Sequence, residues 1–155
     1  MMSPKHRLLD AVRAELRARF DRLSHAAREA HAAATDPGSK AESKYDTRSL
    51  EASYLAAGQA RQLEEVAEDV EVFENLTPRD FDMDEEIDAG ALVEVDLNGE
   101  TSWYLLAPAA GGVAVEWEGR EVTLLTPSSA LYRTLVGMRT GESAEEPPLF
   151  VSEVM

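Results

Sequence analysis

Apolar residues recur at helical spacing along the first half of the chain. One stripe has successive members three or four positions apart: Leu9, Val12, Leu16, Phe20, Leu23, Ala27 and Ala30. Its mean spacing of about 3.5 residues is the period of a coiled coil. A second, shorter stripe has the same spacing: Leu63, Val66, Val70 and Phe73. The pattern predicts two long amphipathic helices.

The ends of these helices are also marked. Ser3-Pro4 is typical of an N-cap followed by proline in the first turn, and Thr35-Asp36-Pro37-Gly38 interrupts the periodicity. Two helices joined by a short turn cover their apolar stripes by packing antiparallel. We therefore expect residues 1–76 to form a helical hairpin, with its tip at residues 35–48. A helix of some 30 residues gives it a length of roughly 45 Å.

The spacing of apolar residues and the composition of the chain change after residue 76. Residues 77–86 are acidic, contain Pro78 and lack an apolar period, which indicates a linker. From residue 87 the apolar positions alternate, as in Val93 and Val95, and Asn98-Gly99 is typical of a tight β-hairpin turn. Residues 87–155 are therefore predicted to form a small β domain.

Further elements of this domain follow from the same signals. Residues 113–117 and 122–126 are predicted strands, Ser129 to Val136 a short helix ended by Gly137, and Leu149 to Val151 a single edge strand that leaves the sheet open. Trp103 and Trp117 alternate with polar neighbours and are expected in the core. The predicted fold class is α+β: an N-terminal antiparallel helical hairpin followed by a small antiparallel β domain with one short helix.

Composition and charge narrow the range of functions. The chain has 155 residues, a formal net charge of −15 and no cysteine. Nucleic-acid affinity comes mainly from lysine and arginine, so direct sequence-specific DNA binding is not expected. A chain without cysteine has no disulfide, thiolate metal site or thiol nucleophile. Without a long apolar segment, we expect a cytoplasmic protein that does not enter a membrane.

Candidate chemistry is concentrated between the two long helices. Asp36, Glu42 and Asp46 together offer carboxylate oxygens, the ligands that magnesium prefers. The residues alone favour a structural explanation, because Ser39-Lys40-Ala41-Glu42 also has the pattern of a capping box. The histidines, His6, His25 and His31, lie in the first helix without the i, i+4 pairing of a helical zinc site, and we interpret them as solvated residues.

One segment of the β domain resembles a known family. Residues 129–137 read Ser-Ala-Leu-Tyr-Arg-Thr-Leu-Val-Gly and are followed by Met-Arg-Thr-Gly-Glu. This is similar to Ser-Pro-Leu-Gly-Arg-Ala-Leu-Leu-Gly, followed by Lys-Lys-x-Gly-Asp or Glu, in the Gre-type (GreA/GreB-like) transcript cleavage factors. Five of the nine core positions agree. Ile87-Asp88-Ala89-Gly90 resembles the family's lead-in, and the resemblance spans nearly the whole chain.

The resemblance implies an FKBP-like β domain and a role in transcription elongation. It implies a monomer that binds bacterial RNA polymerase, inserts its coiled coil in the secondary channel and stimulates cleavage of backtracked RNA, which it contacts only indirectly. The chain would be an accessory factor and not itself an enzyme. Asp36 and Glu42 would hold a Mg²⁺ ion shared with the polymerase active site, Asp46 would assist, and the exposed Tyr132, Arg133 and Arg139 would contact the polymerase.

The tip departs from the family pattern and leaves alternatives open. Active members carry Gly-Asp-x-Ser-Glu-Asn-Ala-Glu-Tyr, whereas Lys40 here follows the serine and Glu42 is shifted along the helix. A Gre-like factor that occupies the channel without cleavage is therefore a second hypothesis. A third is an unrelated coiled-coil adaptor or homodimer. Prolyl isomerase activity is not favoured, because fold alone does not confer function.

Overall fold

The computed structural model describes residues 3–35 and 47–155 of the chain. Two long helices, α1 (Pro4–Thr35) and α2 (Thr47–Glu74), precede the sheet. The remaining elements are β1 (Leu92–Leu97), β2 (Glu100–Leu106), β3 (Ala114–Trp117), β4 (Arg120–Leu125), α3 (Ala130–Leu135), β5 (Ser143–Glu145) and β6 (Pro148–Val154). The α+β class predicted from the sequence is confirmed.

Contacts divide the chain into two compact units. The β unit comprises residues 1–13 and 72–155, and the helical unit comprises residues 14–71. The first turns of α1 and the end of α2 thus belong to the β unit. The domain boundaries at residues 76 and 87 stay a prediction.

Within the helical unit, α1 and α2 run antiparallel. A shallow groove is lined by Arg19, Arg22 and Leu23 of α1 and by Gln62, Glu65 and Val66 of α2. Burial raises the pKa of Asp69, Glu68 raises it further, and Arg19 partly offsets both. Residue 19 therefore lies near residue 69, while residues 22–23 share a groove with residues 62–66. Leu16 and Val66, both members of the predicted stripes, are buried.

The start of α1 agrees with the sequence signals. The Ser3 hydroxyl accepts a hydrogen bond from the backbone N–H of His6 at 3.2 Å, and the Ser3 carbonyl accepts one from Arg7 at 3.3 Å. These bonds satisfy donors that have no partner inside the helix.

The β unit contains a six-stranded mixed sheet in the order β3-β4-β2-β1-β6-β5. Asn98 and Gly99 have φ values of 53° and 85° and join Leu97 to its partner Glu100, so the predicted two-residue hairpin is confirmed. The expectation of an all-antiparallel sheet is wrong for one pair, since β2 and β4 are parallel. After β2 the chain first forms β3 at the edge, and the next hairpin turns β4 back between β3 and β2.

The C-terminal segment forms two strands and not the single edge strand expected. β6 pairs antiparallel with β1 inside the sheet, and β5 pairs with β6 as the outer strand. The two prolines were interpreted as leaving room for one strand. They instead occupy the turn, where the peptide bond Glu146-Pro147 is cis, and the start of β6. The sheet thus gains a sixth strand.

Both faces of this sheet are covered. On one face, Val93, Val95 and Val151 pack with Ile87 and with Tyr132 and Leu135 of α3. On the other face, the rings of Trp103 and Trp117 lie 5.9 Å apart, and the Trp117 indole N–H donates to the Pro4 carbonyl of α1 at 2.8 Å. Both tryptophans are buried, so their predicted place in the core is confirmed. No helix in the described ranges meets the length and hydropathy needed to cross a bilayer.

Two glycines give a matched test of these backbone assignments. Gly137 has a φ of 90° and open space where a methyl side chain would lie, with no atom within 4 Å, whereas Gly58 lies inside α2 with equal free space. Gly137→Ala should lower the free energy of unfolding by about 1–2 kcal/mol through backbone strain alone. Gly58→Ala should raise it by about 0.5–1 kcal/mol. Urea unfolding, followed by circular dichroism, tests both; equal signs would contradict the assignments.

Candidate functional site

The predicted metal-binding tip lies outside the described residues. Asp36, Glu42 and Asp46 all fall within positions 36–46 of the sequence, between the end of α1 and the start of α2. Their role as ligands stays a prediction. Within residues 3–35 and 47–155, no group of three or more His, Asp or Glu residues is arranged to hold a metal ion. His6 and His25 are exposed, as expected.

The segment that carries the family resemblance forms a short capped helix. Ser129 is the N-cap of α3, and its side chain accepts a hydrogen bond from the backbone N–H of Tyr132. At the other end, the N–H of Val136 donates to the Tyr132 carbonyl, and Gly137 then adopts a positive φ. The predicted helix and its predicted glycine terminator are confirmed.

Two backbone hydrogen bonds join this segment to the other resembling segment. The Ile87 N–H donates to the Met138 carbonyl at 2.8 Å, and the Gly137 N–H donates to the Ile87 carbonyl, also at 2.8 Å. Ile87 itself is only 1% exposed. The lead-in at residues 87–90 and the end of α3 are far apart in sequence but form one local structure.

Tyr132 does not lie on the surface as expected. It is 9% exposed and belongs to the core beneath α3. Burial raises the pKa of its phenol, and the charge of Asp88 raises it further. The expectation grouped Tyr132 with Arg133 and Arg139 as exposed neighbours of the core residues of the helix. The amphipathic face of α3 instead includes position 132 together with Leu135.

The two arginines of the predicted contact surface are exposed. The Arg133 guanidinium donates to the Pro127 carbonyl at 2.9 Å, and Arg139 forms an ion pair with Glu86 at 3.0 Å. Residues 77–155 contain only four basic side chains, so these two are half of the cations in that part of the chain. Their contact with a polymerase stays a prediction.

One residue with unusual surroundings was missed by the sequence analysis. Lys5 of α1 is 4% exposed, and its ammonium donates to the backbone carbonyls of Arg79 and Gly90. Burial lowers its pKa to about 8. A signal was available, because Leu9 and Val12 follow Lys5 at i+4 and i+7. The apolar stripe of α1, extended one turn towards the N-terminus, reaches this lysine.

No protein-family model and no curated protein matches the chain. Among solved structures, it is similar to the GreA factor homolog 1 (Gfh1) protein of Thermus thermophilus, with 17% identity, a TM-score of 0.35 and coverage of 92% of this chain and 94% of that one. It is also similar to Gfh1 of Thermus aquaticus, with 17% identity, a TM-score of 0.35 and coverage of 91% and 92%.

Truncation of neighbouring residues on α3 separates core from surface. Tyr132→Ala should lower the free energy of unfolding by about 3–5 kcal/mol, as large buried aromatic residues do. Arg133→Ala should lower it by less than about 1 kcal/mol, because its hydrogen bond is exposed to solvent. Urea unfolding followed by tryptophan fluorescence measures both changes, since both tryptophans lie in the β unit. A small loss for Tyr132→Ala would place that side chain outside the core.

Proposed function

We propose that this chain is a Gre-like elongation factor that binds bacterial RNA polymerase and stimulates cleavage of backtracked RNA. The observation that carries the proposal is the pair of hydrogen bonds between Ile87 and residues 137–138. Each partner lies in a segment that resembles the family. If the two segments resembled the family by chance, they would have no reason to lie side by side. If they belong to one domain of the family's type, they must be in contact.

The helical unit supplies the second requirement of this function. Its antiparallel helices join through residues 36–46, where Asp36 and Glu42 would hold a Mg²⁺ ion shared with the polymerase and Asp46 would assist. Magnesium commonly uses one or two protein carboxylates and keeps other positions for water or substrate oxygens. When bound, the ion would stabilise charge during hydrolysis of the RNA. The polymerase, and not this chain, would supply the remaining catalytic groups.

The charge of the chain supports a protein partner. A net charge of −15 disfavours direct binding to a phosphate backbone, so any contact with nascent RNA would depend on the polymerase. Arg133 and Arg139 are exposed cations on a β unit of net negative charge. We assign them to the contact with the polymerase.

A Gre-like factor without cleavage activity is the second candidate. Lys40 stands at the position where cleavage-active family members have an acid, and the next acid along the sequence, Glu42, is displaced by two residues. Each residue turns a side chain by about 100° around a helix axis, so a displaced carboxylate on a helix would point elsewhere. Under this hypothesis the chain occupies the channel and regulates the polymerase without cleavage.

A backtracked transcription complex distinguishes the two candidates. With Mg²⁺ present, the native chain should shorten the RNA, and Asp36→Ala or Glu42→Ala should reduce the rate by at least about tenfold, as loss of a metal ligand would. Asp21→Ala, a charge loss within α1, is the matched control and should leave the rate unchanged. Shortening that persists without both tip acids would contradict the metal role. If the native chain binds without shortening, Lys40→Glu should restore activity.

The contact surface has a separate test. Arg139→Glu and Arg133→Glu should each weaken polymerase binding by several-fold to about tenfold, because reversal of an interfacial charge changes both attraction and steering. Arg7→Glu, on the β unit but outside the predicted contact surface, provides a control for the change in net charge. Binding is measured by competition with a labelled native chain. Equal affinities of all three variants for the polymerase would show that Arg133 and Arg139 are not in the interface. If the native chain does not bind polymerase and its size in solution depends on its concentration, a coiled-coil homodimer is favoured.

A further inference from the structure

The β unit contains an apolar cavity that the proposed function does not use. Its volume is about 260 Å³, and its lining includes five leucines from three parts of the chain: Leu8, Leu9, Leu76, Leu105 and Leu106. All of its lining residues belong to the β unit. Pockets for drug-sized ligands usually measure about 300–1,000 Å³, so this cavity suits a smaller molecule.

The charges around the cavity are opposite to those of the chain. Lys5 and Arg79 line it, and no aspartate or glutamate does, although the chain has twice as many acidic as basic residues. Arg79 is half-exposed and lies near Glu85 and Asp88, whereas Lys5 is 4% exposed. The cavity therefore combines an apolar interior with one buried cation in its wall.

The ammonium of Lys5 is only partly satisfied. It has three N–H donors, two of which bond to the carbonyls of Arg79 and Gly90. The Phe81 ring lies 4.8 Å from Nζ and offers a further weak attraction. Among the described residues, no carboxylate forms an ion pair with it. Asp80 and Glu85 act on it only from beyond ion-pair distance, so an anion in contact with the ammonium would offset part of the remaining cost of its burial.

We propose that this cavity binds a small amphiphilic carboxylate, with the hydrocarbon chain among the leucines and the carboxylate at Lys5. With a volume of about 260 Å³, the cavity lies just below the usual range for drug-sized ligands, and a straight chain of about eight carbons is a suitable probe. The cavity is open to solvent on one side, and an inorganic anion would leave its apolar lining uncovered.

Octanoate and 1-octanol are the matched probes, since they have the same chain length and differ in charge. Titration calorimetry should show that octanoate binds the native full-length chain more tightly than octanol. Lys5→Met keeps the length of the side chain and removes its charge, and it should weaken octanoate by about tenfold or more with little effect on octanol. Arg22→Met, a cation loss in the helical unit, should leave both affinities unchanged.

The pH dependence of octanoate binding tests the same contact in the native protein, should Lys5→Met fail to fold. Burial lowers the pKa of Lys5 to about 8, with smaller contributions from the surrounding charges of Asp80, Arg79 and Glu85. A bound carboxylate favours the ammonium, so affinity should be constant well below pH 8 and fall as the pH rises through 8 to 9. Octanol carries no charge, so its binding should stay flat over the same range.

The location of the ligand is read from methyl resonances. Octanoate should shift the methyl signals of Leu9, Leu76 and Leu105, which line the cavity and keep accessible surface, and leave those of Leu149 unchanged. The proposal is overturned if octanoate does not bind at millimolar concentration, if octanol binds equally well, or if the shifts occur elsewhere. Octanoate affinity that is independent of pH would also overturn the role of Lys5.

Discussion

The β unit depends on burial of β1 on both faces. This strand pairs with β2 on one side and β6 on the other, and Leu92, Val93 and Val95 are each fully buried. Val93 and Val95 face the layer that contains α3. Leu92 faces the opposite layer, where the first turns of α1 pack. A polar substitution on either face would leave an unsatisfied group inside a layer, so both layers constrain the same short strand.

This position of β1 also explains the pairing of the C-terminal strand. An interior strand needs backbone partners along both edges, and β6 supplies those on the second edge. The reciprocal bonds between Leu92 and Met155, at 3.0 and 2.8 Å, continue this pairing to the last residue. The C-terminal segment therefore completes the sheet, and the short hairpin with β5 places the outer edge one strand further away.

The features predicted correctly from the sequence are those that depend on residues close together in the sequence. Asn98-Gly99 specifies a two-residue turn because both positions need a positive φ, and Ser129 and Gly137 mark the two ends of α3. The errors concern distant contacts. The parallel pairing of β2 with β4 depends on where β3 lies. The burial of Tyr132 depends on which face of the short helix α3 meets the sheet. The surroundings of Lys5 depend on residues more than seventy positions away in the sequence. The ligands predicted between the long helices remain untested, because they lie outside the described part of the chain.

The resemblance at α3 also consists mainly of residues with local structural roles. Five positions agree with the family: Ser129, Leu131, Arg133, Leu135 and Gly137. Four of them have structural roles, because Ser129 caps the helix, Leu131 and Leu135 pack on the core and Gly137 ends the helix. Arg133 is the only one of the five with an exposed side chain. Agreement at these positions is therefore mainly an argument for a common local fold. The proposed function draws on the hydrogen bonds that join this segment to Ile87, and the exposed arginine and the acids between the long helices supply its separate tests.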